Sequence, residues 1–238
     1  MGQELKNFNI IITGGTGFLG KAVITEFVKC DANIYTNYRD DDKFFDLNKY
    51  VGNKQKIVGV KADLTVEKEV KTFFQGFQSR FKRLDVFIHL VGGFWMGEEI
   101  ADTPMGKWNF LLDLNLNSAF LCSRAAFQLM RKQCSGKIFM VSAKTAKEFP
   151  SKMGAYSVSK AAVLALTKVL ANEGKPYHIQ VNCLLPSIID TPVNRRSMPD
   201  EDYQKWVNPH DIGKLLVQLC RPEVKVLSRS SLRIYGDI

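Results

Sequence analysis

Long apolar runs, linker composition and metal-ligand spacing are all missing from this chain of 238 residues. No stretch approaches the roughly 18 consecutive apolar residues of a membrane span, so no membrane partner is expected. The opening MGQELKNFNIIITGG lacks the basic, then apolar, then small order of a secretory leader, and Lys6 stands where acylation of Gly2 would want Ser or Thr. Five cysteines (Cys30, Cys122, Cys134, Cys183, Cys220) are odd in number and show no C-x-x-C spacing, which reads as reduced thiols, several of them core filler. His89, His178 and His210 share no ligand spacing, so no metal is expected. Basic runs are missing too, beyond the pairs Lys82-Arg83, Arg131-Lys132 and Arg195-Arg196. The net charge of +9 suits anionic small molecules such as nucleotides, whereas scattered cations argue against a nucleic-acid partner. A cytoplasmic, globular protein acting on a small-molecule substrate is the expectation.

What is present alternates. Apolar, β-branched runs occupy 8–13, 33–38, 56–62, 84–91, 137–142 and 179–185, and a shorter one occupies 231–236. Helical periodicity fills 18–30, 66–82, 106–133, 154–174 and 209–220, while the polar segment 40–52 is expected to hold only a short helix. Strands apolar on both faces, separated by amphipathic helices, predict a parallel sheet covered on both sides. With no repeat and no composition shift, residues 1–238 read as a single α/β domain of the Rossmann type, doubly wound in three layers. Residues 187–208 carry Pro192, Pro199 and mixed charge without a clean period. A long excursion after the sixth strand lies at the carboxyl edge of such a sheet, where ligands bind, and is expected to act as a substrate lid. Disorder is the other reading, opposed by Met198, Tyr203 and Trp206, which are apolar enough to pack.

The first strand runs into Thr13-Gly14-Gly15-Thr16-Gly17-Phe18-Leu19-Gly20 and then a helix. Gly15, Gly17 and Gly20 satisfy G-x-G-x-x-G, and Gly14, Gly17 and Gly20 equally satisfy G-x-x-G-x-x-G. Glycines let the chain turn tightly, approach a pyrophosphate and pack the helix on the sheet, and the helix N-terminus presents free N–H groups to the anion. An acid reading the ribose should follow about 20 residues on, but that place holds Asn37-Tyr38-Arg39. Its absence, with Arg39 close by, favours the 2′-phosphate of NADP over NAD, although Asp40 could still swing in. Asp63 and Leu64, after the third strand, are placed to flank the adenine, and Asp63 also reads as an N-cap for the helix near Val66.

Tyr156 and Lys160 form an i,i+4 pair on one helical face. An ammonium beside a phenol lowers the phenol's pKa, which would let Tyr156 exchange a proton near neutral pH. With these residues in place the chain resembles the short-chain dehydrogenase/reductase family over essentially its whole length. The resemblance rests on the glycine loop, Asp63-Leu64, Val91-Gly92-Gly93, Asn115, Tyr156, Lys160, and Pro186 followed by Thr191. It implies that Tyr156 donates the proton and that Lys160 holds the nicotinamide ribose and tunes the tyrosine. Asn115 would support a water relay, and Ile189 and Thr191 would hold the carboxamide. The family also implies a homodimer or homotetramer, with helices 106–133 and 154–174 pairing across a two-fold axis.

Two departures stand out. The family's Asn-Asn-Ala-Gly is here His89-Leu90-Val91-Gly92, which keeps the glycine and changes contacts beneath the cofactor. The position of the family's catalytic serine falls on Ala143, while the adjacent Ser142 should face the other way along the strand and Thr145 is a substitute from the loop. The dihydropteridine reductase branch, which also lacks that serine, shares the Val91-Gly92-Gly93-Phe94 stretch followed by Trp95, Ala143-Lys144, and the lid sequence from Leu185-Pro186 through Met198-Pro199. Phe94, Trp95, Ala143 and Met198 are therefore the expected substrate pocket. The implied function is hydride transfer from NAD(P)H to a small carbonyl, quinonoid or imine substrate. Quinonoid dihydropterin reduction is one alternative, and a cofactor-binding sensor without turnover is another.

Overall fold

A computed structural model describes residues 5–52 and 56–237, so Gly2 lies outside the described residues. Seven strands form one parallel sheet: β1 (Asn9–Thr13), β2 (Asn33–Tyr38), β3 (Ile57–Lys61), β4 (Val86–His89), β5 (Gly136–Val141), β6 (Ile179–Pro186) and β7 (Ser231–Ile234). Their spatial order is β3-β2-β1-β4-β5-β6-β7, the doubly wound arrangement expected from the alternation of runs. The order reverses between β1 and β4, where the connecting chains diverge to opposite faces and leave a crevice. Thr13 pairs with His89 at the mouth of that crevice.

Alternate residues of each strand serve opposite layers, as a period of two requires. Ile11, Tyr35, Phe87 and Met140 pack with the helices α3 (Glu67–Arg80), α5 (Ser118–Gln133) and α7 (Gly154–Gly174). Ile10, Ile12, Ile34, Ile88 and Leu184 pack with α1 (Phe18–Val28) and α9 (Pro209–Cys220) on the other face. Each fully buried side chain of this size contributes about 1.5–3 kcal/mol. Both layers are needed, because a parallel sheet has no solvated face.

Two helices depart from the periodicity reading. The segment 40–52 forms a full helix of 11 residues, α2 (Asp41–Val51), because its ends are well made. Asp40 accepts hydrogen bonds from the N–H groups of Asp42 (3.0 Å) and Lys43 (3.3 Å), and Gly52 closes the helix at φ +69°. Phe44 lies over Gly59, where a Cβ would stand only 2.2 Å from its ring, and stacks on Tyr38 at 4.6 Å. Capping and one aromatic contact thus outweigh a polar composition. The long helix 106–133 is interrupted: α4 (Met105–Leu111) passes through a π-helical turn at Leu112–Asn117 before α5. Such turns insert an extra residue and re-aim one side chain, frequently at functional sites.

Asp40→Ala removes the cap of α2 and is expected to cost about 1 kcal/mol, a fall in Tm of about 2–4 °C for a chain of this size. Calorimetry of the two proteins checks it, and an unchanged Tm would show that the cap is idle.

Candidate active site

The crevice beyond β1 and β4 is a cleft of about 220 Å³. Its walls include Gly14, Thr16, Gly17, Asn37, Arg39, Asp63, Leu64, Val91 and Gly92, so much of the expected dinucleotide site comes together. Of the two glycine patterns, Gly14-Gly17-Gly20 is the one built around the cleft. Gly14 sits at φ +71°, and a Cβ there would meet the backbone of Leu90 and Val91 at 3.0 Å. Gly20 allows α1 to approach the turn, since its Cβ would stand 2.2 Å from the Gly14 carbonyl. Gly15 instead packs against Thr36 and Ile24, away from the cleft walls. Phe18 opens α1 half exposed, and Leu19 packs against the core on the α1 face.

At the ribose end two residues carry structural tasks. Asn37 lines the cleft, but its amide is spent on the backbone: Oδ1 accepts from Gly14 N–H at 2.8 Å and Nδ2 donates to the Ala62 carbonyl at 3.2 Å. It shapes the glycine turn from a buried position on the cleft wall. Asp40, exposed on the same wall, caps α2 through Oδ1 alone. Arg39 remains, 3.6 Å from the Asp63 carboxylate, and Lys43 joins it on the wall. Asp63 accepts from Thr65 N–H and Oγ1 (2.9 and 2.7 Å), making a turn before α3 whose N-cap is Val66. Those bonds, with Arg39, hold its carboxyl below the usual range although burial opposes them.

At the other end stand Tyr156, Lys160 and Asn115. The π-helical turn directs the Asn115 amide inward, where it is 1% exposed. Its Oδ1 accepts from Gly93 N–H at 2.8 Å, and its Nδ2 donates to the Gly93 carbonyl (3.1 Å) and Ser159 Oγ (2.9 Å). Ser159 in turn donates to the Tyr156 carbonyl at 2.7 Å. Lys160 Nζ donates to the Val141 carbonyl at 3.1 Å and lies 6.0 Å from the centre of the Tyr156 ring. The expected lowering of the tyrosine does not occur: burial pushes Tyr156 up to about 12 and Lys160 down to about 8. The phenol is therefore a firm proton holder at neutral pH.

Ala143 is buried beyond the end of β5 and supplies no hydroxyl. Ser142 does face away, its Oγ donating to the Lys160 carbonyl at 2.7 Å. Thr145 opens the short helix α6 (Thr145–Glu148), its hydroxyl shut off from solvent and without a hydrogen-bond partner. Phe94 packs edge-on to Tyr156 at 4.9 Å while remaining half exposed, and Trp95 beside it is half buried.

Residues 187–208, the expected lid, are ordered by their own packing. The two ends are clipped together, Val207 N–H to the Ile188 carbonyl and Asp190 N–H to the Val207 carbonyl, both at 2.9 Å. Trp206 and Val207 are buried, and Tyr203 packs on Trp206 at 4.8 Å. Between them lies α8 (Pro192–Ser197), capped by Thr191, whose Oγ1 accepts from Asn194 N–H at 3.2 Å. The Ile189 carbonyl accepts from Asn194 Nδ2, and the Pro186 carbonyl accepts from Lys144 N–H beside Ala143. Met198, expected in the substrate pocket, ends α8 half buried, its N–H donating to the Asn194 carbonyl.

Periodicity and motif reading missed Lys43, Leu114 and Ser159. Lys43 was legible, since Asp40 and Gly52 mark helix ends that place it one turn beyond Arg39. Leu114 reaches the cleft only because of the π-helical turn.

A model of the family described as short chain dehydrogenase matches residues 9–202. A tropinone reductase homolog of Arabidopsis thaliana is 26% identical over 250 residues, covering 99% of this chain and 92% of its own. An uncharacterized oxidoreductase of Staphylococcus aureus is 26% identical over 215 residues, with 90% and 91% covered. Among solved structures, ElxO with NADP bound superposes with a TM-score of 0.91 at 24% identity, covering 97% of this chain and 98% of that one. A family match spanning most of the sheet, on a chain whose glycine turn, Asn115, Tyr156 and Lys160 converge at one sheet edge, has one meaning: this protein belongs to the short chain dehydrogenases and is an oxidoreductase.

Proposed function

We propose that this protein is an NADPH-dependent reductase of a small carbonyl, quinonoid or imine substrate, with Tyr156 as proton donor. The observation that carries the reading is the cleft itself, with the exposed cations Arg39 and Lys43 at one end and a half-buried, protonated tyrosine beside Lys160 near the other. The residues fit a dinucleotide: a Cβ at Gly14 would strike the floor, and one at Gly92 would stand 2.9 Å from Asn115 Oδ1 and 3.1 Å from Lys160 Nζ. Gly14, Thr16 and Gly17 would hold the pyrophosphate, Arg39 and Lys43 the 2′-phosphate, and Asp63 with Leu64 the adenine. Val91, Gly92, Gly93 and Lys160 would take the nicotinamide ribose, and Pro186, Ile189 and Thr191 the carboxamide. When bound, NADPH supplies the hydride. The solved relative that carries NADP in its name is in keeping with this choice.

Tyr156 Oη holds its proton through neutral pH and can deliver it to the oxygen or nitrogen of the reduced group. Lys160 places a positive charge beneath the ring, which favours the phenolate left after transfer. Asn115 anchors Gly93 and, through Ser159, the helix turn that carries Tyr156. The quinonoid dihydropterin alternative is favoured by one feature, the missing hydroxyl at Ala143: an acceptor already poor in electrons needs no donor gripping its oxygen. Phe94, edge-on to Tyr156 and open to solvent, offers a face for a flat ring. We further propose a homodimer or homotetramer through the 106–133 and 154–174 helices, supported by half-exposed Phe110, Phe120, Val158 and Val169 along them. The cytoplasm is the proposed location, in keeping with cysteines that form no disulfide among the described residues.

Tyr156→Phe is expected to lower kcat by about 10²–10⁴ with NADPH affinity nearly unchanged. A screen of NADPH and NADH oxidation against quinonoid dihydropterin, quinones and small ketones reads this, and an unchanged rate would overturn the role. A native protein that binds cofactor and reduces nothing would point to the sensor reading instead.

Removing Arg39 and Lys43 together (Arg39→Ala, Lys43→Ala) should weaken NADPH about ten- to hundredfold and NADH little, since a charge-assisted bond is worth about 1.5–3 kcal/mol. Titration of cofactor fluorescence measures both affinities, and equal losses would assign the cations to another task.

Lys160 is charged below its value of about 8 and neutral above it, whereas Tyr156 at about 12 does not titrate in the working range. Reductive kcat/KM, which reports the free enzyme, should therefore hold to pH 7 and fall through a single ionisation near 8. Lys160→Arg should move that fall beyond pH 10, and a flat native profile would remove the lysine charge from the mechanism.

A further inference from the structure

His89 is 2% exposed at the carboxyl end of β4, and nothing in the proposed reaction uses it. It stands on the α5 face of the sheet, two residues on from Phe87, with a hydrogen-bond partner at each ring nitrogen. Nδ1 lies 3.0 Å from Thr13 Oγ1, on the last residue of β1 before the glycine turn. Nε2 lies 3.3 Å from Ser118 Oγ, the first residue beyond the π-helical turn. The hydrogens can be placed by elimination. Ser118 Oγ gives its single proton to the Leu114 carbonyl at 2.6 Å, so it can only accept from the ring. Nε2 must then carry the ring proton, and Nδ1 must accept from Thr13 Oγ1. Thr13 Oγ1 still has a lone pair for the Leu90 N–H at 3.3 Å. The Leu90 N–H is shared between Thr13 Oγ1 and the Thr13 carbonyl, both at 3.3 Å, and the hydroxyl and ring groups of the chain then run in one direction.

We infer that His89 is a positioning residue: a neutral imidazole, protonated on Nε2, that ties the strand feeding the glycine turn to the π-helical turn carrying Asn115. This rests on the reading of the cleft as a reductase site. The ring sits at the switch point of the sheet, where Thr13 and His89 are already paired across β1 and β4, and adds a side-chain link from that pair to the end of the π-helical turn. Burial and the nearby Lys160 charge push His89 down to about 3, so the ring stays neutral wherever the protein is folded and active. A protonated ring would present a second donor to Thr13 and break the chain of bonds.

The test uses the full chain labelled with ¹⁵N-histidine, with His89→Gln, His89→Leu and Ser118→Ala as variants. His89 is assigned as the imidazole signal lost in His89→Gln and kept by His178 and His210. Its ring should show the Nε2–H tautomer pattern, unchanged between pH 6 and pH 8. The Nδ1–H pattern, or titration in that range, would overturn the inference. In Ser118→Ala, exchange of the Gly93 N–H and the Asn115 side-chain amide should quicken tenfold or more while amides of β5 and β6 keep native rates. A uniform change across the sheet, or none, would mean that the ring serves general stability only. With 1,4-naphthoquinone as acceptor, His89→Leu and Ser118→Ala should lose tenfold or more in kcat and less than threefold in NADPH affinity, and His89→Gln, which keeps a donor and an acceptor, should recover part of the rate. Equal rates in all three folded variants would overturn it. Tyr156→Phe is run beside them: if that variant alone keeps full rate, the reductase reading fails, and the tautomer and exchange data still decide the role of His89.

Discussion

Crowding at Gly92 is the constraint on which the site depends. A Cβ there would stand 2.9 Å from Asn115 Oδ1 and 3.1 Å from Lys160 Nζ, so three separate stretches of chain meet around one hydrogen atom. Asn115 gets there through the π-helical turn, Lys160 through its place on α7, and Gly92 through the end of β4. None of the three can move without the others, because Asn115 is bonded to Gly93 and to Ser159, which sits next to Lys160. Close packing makes the arrangement stiff, which is what a site needs when it holds a cofactor and a proton donor in register.

That stiffness sets the electrostatics. Lys160 is buried and Tyr156 half-buried beside it, and removal from water penalises the charged form of each: the phenol holds its proton more tightly and the amine more loosely than in water. The result suits the proposed reductase, in which Tyr156 would give up its proton only when negative charge develops on a substrate. Ala143 fits the same picture. The neighbouring Ser142 hydroxyl braces α7 through the Lys160 carbonyl, so the one hydroxyl at this strand end is committed to structure.

The cofactor end follows a different logic, polar and open. Asn37 occupies the position of a ribose-reading residue yet holds the Gly14 N–H and the Ala62 carbonyl, turning a recognition position into part of the turn. In the proposed function recognition passes to Arg39 and Lys43, exposed cations on the cleft wall, where charge matters more than exact placement.

The alternation of apolar runs, the glycine turn and the Tyr156–Lys160 spacing were enough to determine a doubly wound parallel sheet and where its chemistry lies, since a period of two, a period near 3.6 and a strand–glycine–helix junction are local properties of a chain. The family resemblance added Asn115 before any coordinate did. Contact decided the rest. The helical state of 41–51 depended on Phe44 meeting Gly59 and Tyr38, residues distant in sequence. The roles of Asn37 and Asp40 depended on which backbone groups lay within reach, and the direction of the Tyr156 and Lys160 shifts depended on how far each was removed from water. Pattern specifies which elements form, whereas hydrogen-bond partners and desolvation exist only once those elements are packed.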